Sequence, residues 1–342
     1  MKKERLFGKT LDELKVVCTR LNLKPYNALQ IADWLYKKEI SSIEGMTNLS
    51  VKTRELIESE YTFGIYPPSK ETESSDGTKK YLYEVLGGKF IETAYIPDRE
   101  RATICVSSQA GCKMGCVFCM TGRQGFQGNL TAGEILNQFR SLPEFRTLTN
   151  IVYMGMGEPL DNITELMKSL AILTGEWGYG WSPSRITVST VGLTSSIREF
   201  LGKSKCHLAV SLHSPFDEER RKLMPIQRTN SVKSVLDAIK EYDFTSQRRV
   251  SFEYILFKGL NDTPAHVKEL ARILNGIKCR INIIRFHKIP GSPYESPNAE
   301  ITNEFKEKLN AKGILTTVRA SRGEDIQAAC GMLSTLEKNK PS

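Results

Sequence analysis

Hydrophobic positions in the first sixty or so residues recur at helical spacing. Leu11, Leu14, Val17 and Leu21 fall on one face, and Thr10 with Glu13 forms a capping box ahead of them. Pro25 opens a second helix carrying Ile31, Trp34 and Leu35, and Ser50 can cap a third that ends near Ile57. Residues 1–60 are therefore expected to form a small helical domain. The period then shortens to two. YLYEVL and FIETAYI are rich in aromatic and β-branched residues, and Gly87-Gly88 between them reads as a turn. Residues 61–98 are expected to form a short β-hairpin extension, closed by Pro97 and the charges of DRER.

From Thr103 the pattern is strand, loop, helix, repeated. The strand candidates are TICVS, NIVYM, RITVST, HLAVSL, VSFEYILF and RINIIRF. Helices are expected from Thr131 (with Glu134 completing a capping box), over Ile163–Leu173, Thr194–Leu201, Val232–Tyr242, Ala265–Leu274 and Asn303–Ala311. A seventh, shorter strand, ILTTVRA, and a helix near Asp325 end the pattern. Alternating elements of this kind predict an α/β fold with a parallel sheet and helices outside. The expected class is a partial (β/α)6-type barrel over residues 99–335, followed by a disordered tail at 336–342. The unusual residues follow the strands, where barrel active sites collect.

Composition narrows the setting. The chain of 342 residues is 40% hydrophobic and 25% charged, which permits a large core. It has no run of 18 apolar residues, so no membrane-spanning helix is expected, and MKKERLFGKT lacks the apolar stretch of a secretory signal. A cytoplasmic protein is expected. Eight cysteines in that reducing compartment do not form a disulfide framework. Cys18, Cys105, Cys206, Cys279 and Cys330 lie outside the cysteine-rich loop, and apolar burial is their default. A net charge of +9 suits a polyanionic partner such as nucleic acid. Lys37, Lys38, Lys52 and Arg54 lie on or beside the helical domain; Lys37, Lys38, Arg248 and Arg249 are candidates for phosphate contacts, and each reads equally well as part of a solvated face.

The sharpest chemical signal is GCKMGCVFCM. It places Cys112, Cys116 and Cys119 as C-x3-C-x2-C after the first barrel strand. Three thiolates can hold three irons of a 4Fe-4S cluster and leave the fourth open to a small molecule. S-adenosylmethionine (SAM) can chelate that iron through its amino and carboxylate groups. A zinc site completed by histidine elsewhere, or three unrelated cysteines, are the competing readings.

This loop resembles that of the radical SAM superfamily. The longer strings CVSSQAGCKMGCVFC, MGMGEPL, VSLHSP and RGEDIQAACG resemble the RlmN/Cfr family of RNA adenosine methyltransferases, from the N-terminal helices to Cys330. Pro159 in MGMGEPL is similar to the RlmN side, since the Cfr side typically has Ala there. The resemblance implies that Cys112, Cys116 and Cys119 hold the cluster, and that Gly157, Glu158, Ser189, Ser211, Leu212 and His213 contact SAM. His287 stands where the family commonly has an Asn near the adenine of SAM. Cys330 matches the methyl-carrying cysteine, Cys105 its resolving partner through a transient disulfide, and Glu92 a proton acceptor. From composition alone Cys105 and Cys330 read as core residues and Glu92 as an edge-strand surface residue.

Carbon 2 of adenine is electron-poor, so ordinary displacement cannot place a methyl group there, whereas a carbon radical can add. The family mechanism implied is two-stage and uses two SAM per turnover. Cys330 first takes a methyl group as thiolate. A radical made from the second SAM then activates that methyl for attack on adenine, and Cys105 releases the product. The implied substrates are 23S ribosomal RNA, at an adenosine of the peptidyl-transferase centre, and transfer RNA, at the adenosine beside the anticodon. A flavodoxin-type electron donor and a monomeric chain are also expected. The alternatives are Cfr-type methylation at carbon 8 and a non-enzymatic RNA-binding protein with a structural zinc. The last would be colourless where the enzyme is brown.

Overall fold

The computed structural model describes residues 3–38, 40–85, 87–244, 249–333 and 335. Arg248 and the expected tail at 336–342 lie outside the described residues.

The N-terminal unit contains β1 (Glu4–Arg5), α1 (Leu11–Arg20), α2 (Asn27–Tyr36), α3 (Val51–Glu60) and β2 (Tyr61–Thr62), with β1 and β2 paired in parallel. Both halves of the α1 capping box form: Thr10 Oγ1 accepts from Glu13 N at 3.3 Å, and Glu13 Oε2 from Thr10 N at 2.8 Å. Such a cap contributes about 1 kcal/mol. Leu14 and Val17 of α1 and Ile31 and Leu35 of α2 are buried together. Tyr36 carries the unit onto the rest of the protein, its ring 5.9 Å from Trp177 and 5.6 Å from Tyr179. Gly8 lies so close to Gly133 that an added Cβ would come within 2.3 Å of the Gly133 backbone.

The hairpin is the start of the main sheet. β3 (Lys70–Glu73), β4 (Lys79–Val85) and β5 (Lys89–Asp98) run antiparallel, and β5 pairs with β6 (Arg101–Cys105). A small pair, β7 (Gln109–Ala110) and β8 (Gly128–Asn129), flanks α4 (Met120–Gln124). Parallel strands then follow β6: β9 (Asn150–Tyr153), β10 (Ile186–Thr190), β11 (His207–Ser211), β12 (Val250–Leu256), β13 (Cys279–Arg285) and β14 (Leu315–Val318). The order across the sheet is β14-β13-β12-β11-β10-β9-β6-β5-β4-β3. Among the described residues the sheet has two free ends, so the seven parallel strands make a partial barrel, as expected. Between them run α5 (Ala132–Arg140), α6 (Ile163–Thr174), α7 (Thr194–Lys203), α8 (Asp217–Leu223), α9 (Val232–Lys240), α10 (Pro264–Ile273) and α11 (Ala299–Ala311).

Two expectations need correction. The helix expected from Asn303 begins a turn earlier, because the Asn298 side chain accepts from Ile301 N at 2.9 Å and caps it there. The helix expected near Asp325 is a set of turns. The Asp325 carboxylate is committed to Ser74 Oγ and Ser75 N, at 2.5 and 3.1 Å, so the segment is held against the turn between β3 and β4 instead of winding up.

Candidate active site

The chain leaves β6 at Cys105 and enters the cysteine loop through β7. Gly111 turns it with φ +70°, and Cys112 N donates to Gly125 O at 3.2 Å. Gly115, at φ +66°, allows the next turn, and Cys119 N donates to Cys116 O at 3.1 Å just before α4. All three thiols line one cavity at the C-terminal ends of the barrel strands. Burial pushes the Cys112 thiol up to about 12, and raises Cys116 and Cys119 as well, with their neighbouring thiols adding to it. Loading this loop with iron is thus coupled to loss of thiol protons. Among the described residues no three His, Cys, Asp or Glu side chains are grouped to hold a single metal ion. The donor set, three thiols around a cavity, fits a multi-iron cluster better than a mononuclear zinc site, whose ligands meet at one point.

The loop after β9 forms the facing wall. A Cβ at Gly155 would sit 2.7 Å from Ser107 Oγ, and one at Gly157 (φ +97°) 2.5 Å from Gln109 Cβ. These glycines are therefore needed to bring the loop onto the segment that leads to the cysteines. Glu158 is buried, its oxygens accepting from Leu160 N at 3.1 Å and Val191 N at 2.9 Å. Burial raises its carboxyl to about 7, against hydrogen bonds from Thr190, Val191 and Leu160 that favour the charged form. Ser189, Ser211 and His213 line the same cavity. His213 has φ +56°, and its Nδ1 accepts from Ile255 N at 3.0 Å, which places the ring proton on Nε2. Burial lowers the ring to about 3, so it is neutral, and it meets Phe118 of the cysteine loop edge-on at 4.7 Å. Leu212 is buried in the main core and does not line the cavity.

A second cavity adjoins the first. Cys105, Cys330, His287 and Arg319 line it, and Cys330 and Arg319 line both. His287 thus stands on the Cys105 side, its Nε2 3.4 Å from Ser321 Oγ. Cys105 is buried and its thiol is pushed up to about 12, first by burial and then by Cys330, with Arg319 opposing. Cys330 is exposed. Its segment is bonded to α4 directly after the third loop cysteine: Met120 N donates to Gly331 O at 2.8 Å, Thr121 Oγ1 to Leu333 O at 2.7 Å, and Gln124 Nε2 to Thr335 Oγ1 at 2.6 Å. Glu92 is buried on β5, between β4 and β6, and pairs with Lys80 at 3.1 Å, so the edge-strand reading was wrong. Ala94, two residues on, is in register with Cys105, which puts Glu92 and Cys105 on one face of the sheet.

Two arginines escaped the sequence reading. Arg220 is fully buried in a run, DEERRKL, that reads as solvated, yet it donates to the carbonyls of Val191, Ser211 and Leu212 at 2.6, 3.1 and 3.1 Å. It ties together the loops after β10 and β11. Arg319 Nη1 lies 3.6 Å from Glu253 Oε2 and sits between the two cavities. Of the basic residues named from sequence, Lys37 and Lys38 pair with Asp33 at 4.0 and 3.9 Å, Arg54 donates to Glu44 O, and Lys52 is exposed. Arg249 is at the opposite end of the barrel, beside Arg101 and Arg280.

Comparison with known proteins decides the family. Residues 106–273 match the Radical SAM superfamily, and residues 5–62 match the ribosomal RNA large subunit methyltransferase N-terminal domain. The chain is 57% identical over 98% of its length to a protein of Parabacteroides distasonis named "Probable dual-specificity RNA methyltransferase RlmN", covering 98% of it. It is 40% identical to the "Dual-specificity RNA methyltransferase RlmN" of Syntrophus aciditrophicus over 95% of this chain and 94% of that one. This chain belongs to the RlmN family of radical SAM methyltransferases. A crystal structure of a radical SAM methyltransferase from Sphaerobacter thermophilus superposes with a TM-score of 0.90 at 39% identity, covering 96% of this chain and 99% of that one. Membership in the RlmN family implies a 4Fe-4S cluster and SAM, for which the three-thiol loop and the wall carrying Glu158 are the matching parts.

In an RlmN-family site Glu158 should make SAM binding pH-dependent. Its carboxyl is raised from 4.5 to about 7, so the fold favours the protonated form, and that contribution to stability is lost as pH rises through about 7. Accepting a hydrogen bond from the N–H groups of the SAM amino group is favoured by the carboxylate. SAM affinity measured by calorimetry on cluster-loaded protein is therefore expected to rise up to ~10-fold between pH 6 and 8. Glu158→Gln should flatten that rise; an unchanged slope would remove Glu158 from the amino-group contact.

Proposed function

We propose that this protein methylates carbon 2 of adenosine in 23S ribosomal RNA and in transfer RNA, through a methyl group carried on Cys330. The observation that carries the reading is the pair of adjoining cavities: Cys330 and Cys119 line both, with Cys112 and Cys116 in one and Cys105 in the other. When bound, the cluster and two SAM molecules would supply the methyl group and the radical that activates it. The chain's own residues do the rest. Cys330, exposed at the cavity edge, accepts the methyl group as thiolate, and Arg319 lines the same two cavities. Glu158 holds the amino group of SAM, and neutral His213 braces the cysteine loop through Phe118. Glu92, on the same face as Cys105, takes the proton from carbon 2 of the linked base. Cys105 then attacks the Cys330 sulfur, and an external reductant restores both thiols.

The N-terminal helical unit, by its similarity to the ribosomal RNA methyltransferase N-terminal domain, would contact the surrounding RNA. The adenine has to leave its stack to reach a cavity at the strand ends. We place the protein in the cytoplasm, as a monomer served by a flavodoxin-type donor. The test is anaerobic reaction of cluster-loaded protein with SAM, a reductant and unmodified 23S rRNA, followed by mass spectrometry of the digested RNA. 2-Methyladenosine that vanishes with Cys330→Ala is expected. 8-Methyladenosine would keep the site and refute the carbon-2 assignment.

A further inference from the structure

The opposite, N-terminal end of the parallel strands opens into a polar basin that meets the thiol cavities at Val152, Met154, Glu253 and Arg319. Its walls carry Thr103, Thr187, Ser251 and Asn282, small polar residues where a closed barrel is filled by branched apolar ones. Besides Arg319, which faces Glu253, four cations stand around it: Arg101 at the start of β6, Arg249 just before β12, Lys278 just before β13, and Arg280 within β13. Among the described residues none of the four side chains has a carboxylate within ion-pair distance or a hydrogen-bond partner. Glu253 is the one carboxylate lining the basin, and it is already engaged. Its Oε1 accepts from Asn282 Nδ2 at 2.8 Å and Ser251 Oγ at 3.1 Å, and its Oε2 faces Arg319 at 3.6 Å. Among the described residues the four cations therefore lack a carboxylate in contact, and Glu253 offsets Arg280 only from a distance.

They are also close together. Ser251 and Arg280 are in register on β12 and β13, which brings Arg249, two residues before Ser251, to a diagonal position beside Arg280. The Arg280 guanidinium is held below its ordinary range by burial first and then by Arg249 and Arg101, against the Glu253 carboxylate, which favours its charged form. Like charges held side by side in a half-buried place repel, and an anion between them turns that repulsion into attraction. Several guanidinium groups lining one cavity with Asn150, Ser184 and Thr187 suit a tetrahedral, multi-oxygen anion better than a planar carboxylate.

We propose that this basin is a phosphate-binding site, at the opposite end of the strands from the thiols and filled either by a backbone phosphate of RNA or by a small free phosphate compound. The first source rests on the proposed RNA substrate and the second does not.

The test is calorimetric titration of cluster-loaded protein with inorganic phosphate against chloride at equal ionic strength. One saturable phosphate per chain is expected. Arg280→Gln and the exposed-rim double variant Arg101→Gln/Arg249→Gln should each weaken it by ~10-fold or more. Far-UV circular dichroism of the rim variant guards against a folding defect. Binding of an unmodified 23S rRNA fragment separates the sources. If the rim variant loses RNA affinity and its salt dependence falls by about two ion equivalents, the phosphate is RNA's. If RNA binding is unchanged while phosphate binding is lost, the natural occupant is a free phosphate compound. Absence of saturable phosphate binding, or binding that both variants leave intact, overturns the site whatever the RNA result.

Discussion

Cys105→Ala protein, purified from growing cells and denatured, is expected to carry RNA covalently attached through Cys330. The proposed chemistry joins the sulfur of Cys330 to adenine through a methylene carbon, and only attack on that sulfur frees the product. Cys105 is placed to make the attack. It is buried in the cavity that Cys330 and Arg319 also line, and its thiol, pushed up to about 12, must shed a proton to become the nucleophile. Arg319 beside it opposes the burial effect. Removing the thiol leaves the earlier steps intact, so the chain should react with no more than about one RNA and stop. Cys330→Ala should bind the cluster, attach nothing and form no 2-methyladenosine. Gel electrophoresis under denaturing conditions, with and without ribonuclease, reads both. Cys105→Ala protein free of nucleic acid would refute the resolving role.

Gly111→Ala is expected to abolish cluster loading. The residue has φ +70°, which costs an L side chain about 1–2 kcal/mol. The larger penalty is steric: the new Cβ would fall 1.8 Å from Gly125 O, a backbone atom that cannot swing aside. That same oxygen accepts the hydrogen bond from Cys112 N, so the overlap displaces the first of the proposed cluster ligands directly. Gly125→Ala is the internal control. Its φ is +78°, yet nothing lies within 4 Å of its added Cβ, so it should suffer only the backbone strain and keep its iron. Iron and sulfide per chain after reconstitution give the answer. Equal loading of the two variants would show that the loop tolerates the displacement.

The cysteine spacing, the strand-loop-helix alternation and the chemistry following each strand were legible because they are local. Apolar runs at strand period mark β6 and β9–β14, and the residues after them mark the wall of the cavity. What the sequence withheld depends on contacts between distant segments. Arg220 and Arg319 look like surface charge until three backbone carbonyls and a buried carboxylate are seen to surround them. Glu92 read as an edge residue because nothing local tells that β5 is flanked on both sides. The Asp325 segment has helical residues in sequence, and its bonds to Ser74 and Ser75 outweigh that preference.

Those same bonds order events during folding. Ser74 and Asp325 are 251 residues apart in sequence, and Gln124 and Thr335 are 211 apart. Closing such loops is entropically expensive and gains nothing until both ends already have a surface to dock on. The barrel must therefore stand before the Cys330 segment can settle on α4. A chain that has not finished folding keeps the Cys330 sulfur away from the cavity that the three loop cysteines line, so the proposed reactive centre is armed last.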